Sequence, residues 1–339
     1  MVTSLLSATA RRAKYLTNDA YHRAFSSTRT AVVVGATSGI GEACALRLAE
    51  QGFLVVAVGR DQPGRAESVV AALVEKSLQS PSRHGSEASD DVPKHEFYAC
   101  DAFSLDNVYK TAQEIQARHP TVDALIMSQG MATTQGFTPT AEGNDQKLTL
   151  HYYSRVAFVQ SLLPALKRST MPAVVLSVLS GGVHSPYRYL KDDPSLQTNY
   201  SIKNAADAAG YYNDLGMDQL AIENPNIRFV HASPGFVNTN WGTEFHPFLR
   251  GVVRLLQRLG KKPSDCAELL LGPTVLAADA GDDLPTLPTR PDGTTSAVYI
   301  VGEMGESRSL TREHNAENRD ILWRHTQDVM GKAGITNNE

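Results

Sequence analysis

The chain is 339 residues long, enough for one large domain or two ordinary ones with a core that needs no staples. Apolar residues make up 42% and charged residues 20%, which excludes disorder and fibrous repeats, and a net charge of −4 lacks the basic excess of a nucleic-acid binder. Cys44, Cys100 and Cys266 lie too far apart for a disulfide scaffold or a zinc module, and no apolar run reaches the ~20 residues that span a bilayer.

Up to Thr30 five basic residues (Arg11, Arg12, Lys14, Arg23, Arg29) stand against the single acid Asp19, among many Ser and Thr. An arginine-rich, acid-poor start with Leu5, Leu6, Ala13 and Leu16 on one helical side has the composition of a mitochondrial transit peptide. A disordered basic arm on a cytoplasmic enzyme is the alternative. Residues 1–30 therefore read as an extension and 31–339 as one domain.

From Ala31 the chain alternates short β-branched runs with helical patterns. Strands are expected over 31–34, 53–58, 95–99, 124–127, 173–178, 227–232 and 297–301. Helices are expected over 42–51, 65–76, 105–119, 147–167, 205–221 and 317–330, with polar loops over 77–93 and 282–295. Such alternation builds an α/β fold, a doubly wound parallel sheet of about seven strands with helices on both faces, and ligands bind at the carboxyl ends of its strands.

Gly35-Ala36-Thr37-Ser38-Gly39-Ile40-Gly41 lies between the first strand and the first helix. Gly35 permits a tight turn, Gly39 lets backbone approach a pyrophosphate, and Gly41 lets the helix pack closely on the sheet. Three residues separate the first two glycines, so the pattern resembles the Thr-Gly-x-x-x-Gly-x-Gly of the short-chain dehydrogenase/reductase family, with Val34-Gly35 in place of Thr-Gly. That resemblance implies a Rossmann-type fold and a nicotinamide dinucleotide cradled by Gly35, Thr37, Ser38, Gly39, Ile40 and Gly41.

Further segments match the same family. Arg60 ends the second strand where an NAD-preferring member carries an acid, which implies NADP(H), although Asp61 follows directly. Asp101 and Ala102 fall where the adenine is contacted. Met127-Ser128-Gln129-Gly130 keeps only the glycine of Asn-Asn-Ala-Gly. Pro234, Gly235, Val237 and Thr239 match Pro-Gly-x-Val-x-Thr, whose backbone and Thr hold the nicotinamide carboxamide.

In this family a Ser and a Tyr hydrogen-bond the substrate oxygen, and a Lys pulls the Tyr pKa toward neutrality. Ser180 takes the serine position and Tyr200 with Lys203 the pair, though Tyr200-Ser201-Ile202-Lys203 is one residue shorter than Tyr-x-x-x-Lys. A gapless comparison with retinol-dehydrogenase-like members puts the pair on Ala206 and Gly210 instead, and His151 where a helical Asn completes the tetrad. No metal site is expected. Two readings follow: an NADP(H)-dependent oxidoreductase interconverting a carbonyl and an alcohol on an apolar small molecule, or a catalytically degenerate dinucleotide-binding sensor or interaction protein. Residues 245–262 combine an apolar stripe with flanking Arg and Lys, which suits a substrate lid, peripheral membrane contact or plain packing. The family also implies a homo-oligomer.

Overall fold

The computed structural model describes residues 28–80, 92–239, 257, 259–276 and 285–335. The basic segment 1–27 and most of the apolar–basic stretch 245–262 lie outside the described residues. Seven strands form one sheet: β1 (Thr30–Val34), β2 (Leu54–Gly59), β3 (Glu96–Ala99), β4 (Ala124–Met127), β5 (Val174–Val178), β6 (Arg228–Ala232) and β7 (Tyr299–Val301). Every neighbouring pair is parallel, and the order is β3-β2-β1-β4-β5-β6-β7. The chain therefore reverses its winding between β1 and β4, and a crevice opens beyond the carboxyl ends of those two strands.

Among the described residues, seven longer helices cover the sheet: α1 (Gly39–Glu50), α2 (Arg65–Leu78), α3 (Leu105–Arg118), α4 (Ser154–Leu166), α5 (Ile202–Glu223), α6 (Pro263–Thr274) and α7 (Ala316–Lys332). The central strands β1, β2 and β4 are apolar on both faces, as a doubly covered sheet requires, whereas the edge strand β3 has no fully buried residue. In β1, Ala31 and Val33 pack with Cys44, Leu48, Leu73 and Leu270 of α1, α2 and α6, whereas Val32 and Val34 pack with Leu105, Ile115, Val156 and Leu215 of α3, α4 and α5. α6 is an element that periodicity alone did not bring out, although Pro263 at its start and Asp265 in its first turn are ordinary initiation signals.

The expected helix over 147–167 is not uniform. One α-turn (Gln146–Leu148) passes into a π-helical segment (Thr149–Tyr153) before α4 begins. Asp145 starts it, its carboxylate accepting from Leu148 N–H at 3.0 Å. The widened turn carries His151 and leaves its carbonyl free to accept from Asn213 Nδ2 of α5 at 2.7 Å. α5 also begins earlier than expected, because Ser201 caps it by accepting from Asn204 N–H at 2.9 Å. Tyr200 thus precedes the helix rather than opening it.

Candidate active site

The glycine turn lies at the crevice. Gly35 has φ +85°, open to glycine at little cost, and its N–H and that of Ala36 donate to Val58 O at 2.9 and 3.2 Å, tying the turn to β2. A Cβ on Gly41 would stand 2.3 Å from both Gly35 O and Ser128 Oγ, so α1 approaches the ends of β1 and β4 as only a bare Cα allows. Ser38 is the N-cap residue of α1 yet makes no side-chain cap bond, which leaves the leading amides of Gly39, Ile40 and Gly41 for an outside acceptor. Thr37 packs its methyl where Gly59 has no side chain. From the far side, Thr239 leans over the turn, its Cγ2 3.1 Å from the position of a Gly39 Cβ.

The other expected cofactor residues line the same edge. Arg60 is exposed beyond β2 and joins no ion pair among the described residues. Asp101, beyond β3, accepts from Phe103 N–H at 3.1 Å and Ala102 is buried behind it. Gly130 follows β4 beside His151. Pro234, Gly235, Val237 and Thr239 follow β6, where Asn238 N–H donates to Lys261 O and Lys261 N–H to Phe236 O, bracing the loop.

Arg155, fully buried, takes over the sheet-bridging task left open by the missing Asn-Asn. Its guanidinium donates to Gln129 O at 2.7 Å, Val178 O at 3.0 Å and Ser177 Oγ at 2.6 Å, tying β4 to β5. Burial without a carboxylate partner lowers its pKa to about 9. Ser177 passes the chain on to Asn213 Oδ1 at 2.9 Å.

Ser180 sits just past β5. Its N–H donates to His231 Nε2 at 3.2 Å, and His231 Nδ1 is 2.6 Å from Asp214 Oδ1. His314 Nε2 lies 3.1 Å from the other oxygen of Asp214, with its Nδ1 accepting from Thr311 N–H at 3.1 Å. These partners assign both histidine tautomers and leave Asp214 accepting from two rings. Ser180 Oγ itself is buried and has no hydrogen-bond partner among the described residues. A Cβ on Gly210 would meet it at 2.8 Å and His184 Cδ2 at 2.6 Å. His184 Nδ1 faces Asp207 Oδ1 at 3.6 Å, and Asp207 in turn pairs with Lys203.

The short chain dehydrogenase model matches residues 29–190, which carry the glycine turn and Ser180. The chain belongs to the short chain dehydrogenase family. An oxidoreductase of Emericella nidulans is 32% identical over 64% of this chain and 61% of its own. Oxidoreductase andH of Emericella variicolor is 33% identical over 68% of this chain and 62% of its own. The matched stretch thus spans about six-tenths of these curated relatives. An alcohol dehydrogenase from Thermococcus sibiricus, solved with 5-hydroxy-NADP, shares the fold with a TM-score of 0.50 at 20% identity, over 71% of this chain and 88% of that one.

Within this chain the expected pair is not joined. Tyr200 OH accepts from Lys147 Nζ at 2.6 Å and donates to Gln135 O at 3.3 Å, and its ring meets Phe137 edge-on. Burial, and then the charge of Asp145, pushes its pKa up to about 12, opposite to the drop a proton-donating Tyr–Lys pair implies. Lys203 is largely exposed on α5 and bound to Asp207. The residue against Ser180 is Gly210, which the gapless comparison gives to the lysine and not to the tyrosine. His151 stands at the tetrad position, but its Nε2 accepts from Met131 N–H at 3.0 Å and burial drives its pKa down to about 3, so it is a neutral structural acceptor. Sequence reasoning missed His184, Asp207, Asn213 and Arg155. The signal for the first two was available: with Ala206 and Gly210 unable to donate, polar residues one position on in α5 and four past Ser180 become the candidates.

Proposed function

We propose that the chain is an NADP(H)-dependent oxidoreductase that interconverts a carbonyl and an alcohol on an apolar small molecule. The observation that carries this reading is the buried, unpartnered Ser180 Oγ, which stands at the carboxyl edge of the sheet with the uncapped start of α1. A buried hydroxyl costs about 1–3 kcal/mol when left unmade, so its retention argues for an outside acceptor such as a substrate oxygen.

The residues fit the dinucleotide. The free amides at Gly39, Ile40 and Gly41, with Gly35, Thr37 and Ser38 shaping the turn, would hold the diphosphate. Asp101 and Ala102 would face the adenine, exposed Arg60 a 2′-phosphate, and Gly130 with Pro234, Gly235, Val237 and Thr239 the nicotinamide end. The NADP-type ligand of the Thermococcus enzyme supports the preference for a 2′-phosphate. The nicotinamide group, when bound, supplies or accepts the hydride. Ser180 would donate a hydrogen bond to the substrate oxygen, and His231 holds the Ser180 backbone in place through its N–H. Apolar Val183 and Phe236, both exposed beside these loops, would face an apolar substrate.

Gly210 beside Ser180 favours a second reading, a dinucleotide-binding sensor without turnover. Calorimetry with NADPH and NADH, followed by cofactor oxidation with aromatic and aliphatic ketones, separates the two. Micromolar NADPH binding with turnover supports the oxidoreductase, binding without turnover the sensor, and no binding overturns both.

A further inference from the structure

We propose that His184, positioned by Asp207, is the proton-transfer residue of this chain, acting on the same oxygen that Ser180 hydrogen-bonds. The inference rests on the oxidoreductase reading and deepens it. Ser180 Oγ and His184 Cδ2 lie 2.8 and 2.6 Å from one point, the place a side chain on Gly210 would fill. Both side chains therefore pack against the bare Cα of Gly210, which sets the His184 ring beside the Ser180 hydroxyl, while Nδ1 faces Asp207 at 3.6 Å.

Elimination among the neighbouring groups points the same way. His231 has both nitrogens engaged, by Ser180 N–H and Asp214, and His151 spends Nε2 on Met131 N–H. Tyr200 OH is committed to Lys147 and Gln135. His184 Nε2 makes no hydrogen bond among the described residues, and the ring is partly open to solvent. The charged and titratable groups around it are Asp207 and Lys203 of α5, Asp214 of α5, His231 of β6 and His151 of the π-helical segment. Burial lowers the His184 pKa and Asp207 opposes that change, so the ring is neutral near pH 7 and able to accept a proton.

The step assigned to His184 is proton transfer alone. In the oxidative direction the carbinol O–H bond breaks, an N–H bond forms on Nε2, and the electron pair of the carbinol C–H bond leaves as the hydride taken by the oxidised nicotinamide dinucleotide. In the reductive direction the imidazolium returns that proton to the oxygen. Asp207 acts through His184 as a positioning residue, favouring the charged ring.

A test that needs no substrate uses NADP+ and NADPH as probes, titrated calorimetrically into the full chain from pH 5 to 8. An imidazolium near the reacting oxygen disfavours the cationic oxidised ring, while titration of the 2′-phosphate is common to both nucleotides and cancels in their ratio. The ratio of NADP+ to NADPH dissociation constants is expected to rise about tenfold on acidification. His184→Gln should flatten it, and Asp207→Asn should move its midpoint to lower pH, a shift that a merely structural carboxylate would not produce. With 1-(4-nitrophenyl)ethanol and 4-nitroacetophenone as turnover probes, His184→Gln should lose at least a hundredfold in kcat with NADPH affinity within threefold. A pH-dependent ratio that survives His184→Gln, a flat ratio in the unaltered protein, or turnover lost on Tyr200→Phe but kept on His184→Gln overturns the proposal while leaving the oxidoreductase reading intact. Failure to bind either nucleotide overturns that reading, and this proposal with it.

Discussion

The two halves of the crevice are built from different material. On the β1–β2 side the site is backbone: a positive-φ glycine, a close helix approach at Gly41 and amides at an uncapped helix start. On the β4–β6 side it is a network of side chains, in which Arg155, Ser177, Asn213, Asp214, His231 and His314 fix the framework and Ser180 meets His184 against the bare Gly210. The lesson is that a backbone cradle depends on a few contiguous residues, whereas a side-chain site is assembled from positions up to a hundred residues apart, as with His314 and Asp214.

Substitutions can break each half separately. The largest effect is expected for Gly41→Val, whose Cβ would meet Gly35 O and Ser128 Oγ at 2.3 Å, contacts with backbone and a short hydroxyl that have little room to give. Overpacking of this kind costs about 3 kcal/mol or more, so urea unfolding should move to much lower denaturant and NADPH binding should vanish. On the other side Asp214→Ala leaves the N–H groups of His231 and His314 buried without an acceptor. A loss of about 2–4 kcal/mol is expected in the same unfolding measurement, with weakened turnover because Ser180 loses its anchored neighbour.

Acid should sharpen the contrast. Burial holds His95, His151 and His325 at about 4, about 3 and about 4, below a free imidazole. The unfolded chain takes up protons below pH ~6.5 that these folded rings refuse, so the stabilisation they contribute is complete above that pH and declines toward pH 4. The urea midpoint should therefore be lower at pH 5 than at pH 7, and replacing His95 by Asn should reduce the difference. The smallest effect is expected at exposed Arg60. Arg60→Ala should weaken NADPH by about tenfold and NADH by less than twofold, a difference that equal losses for both would remove.

Legibility in the sequence follows the same division. Strands such as 124–127 emerged from the sequence because burial on both sheet faces demands continuous apolar runs. The glycine turn was readable because each glycine answers a local steric demand. Tyr200 and Lys203 stood for the catalytic pair by resemblance, one residue short of the family spacing, and the Ser201 cap starts α5 after the tyrosine while the capped helix carries Gly210 to Ser180. Successive helical residues are rotated by about 100°, so a pair one residue short of the family spacing points its second member to another face, and a residue before the cap is not on the helix at all.

By itself the amino-acid order determined the alternating fold, the family and the glycine turn, because those depend on hydrophobic period and on local backbone freedom. The partnership of His184 with Asp207, the engagement of His151 and His231, and the bridging by Arg155 were decided only by the tertiary structure. Hydrogen bonds between distant segments depend on three-dimensional register, and packing of α4 and α5 across the sheet is what sets it.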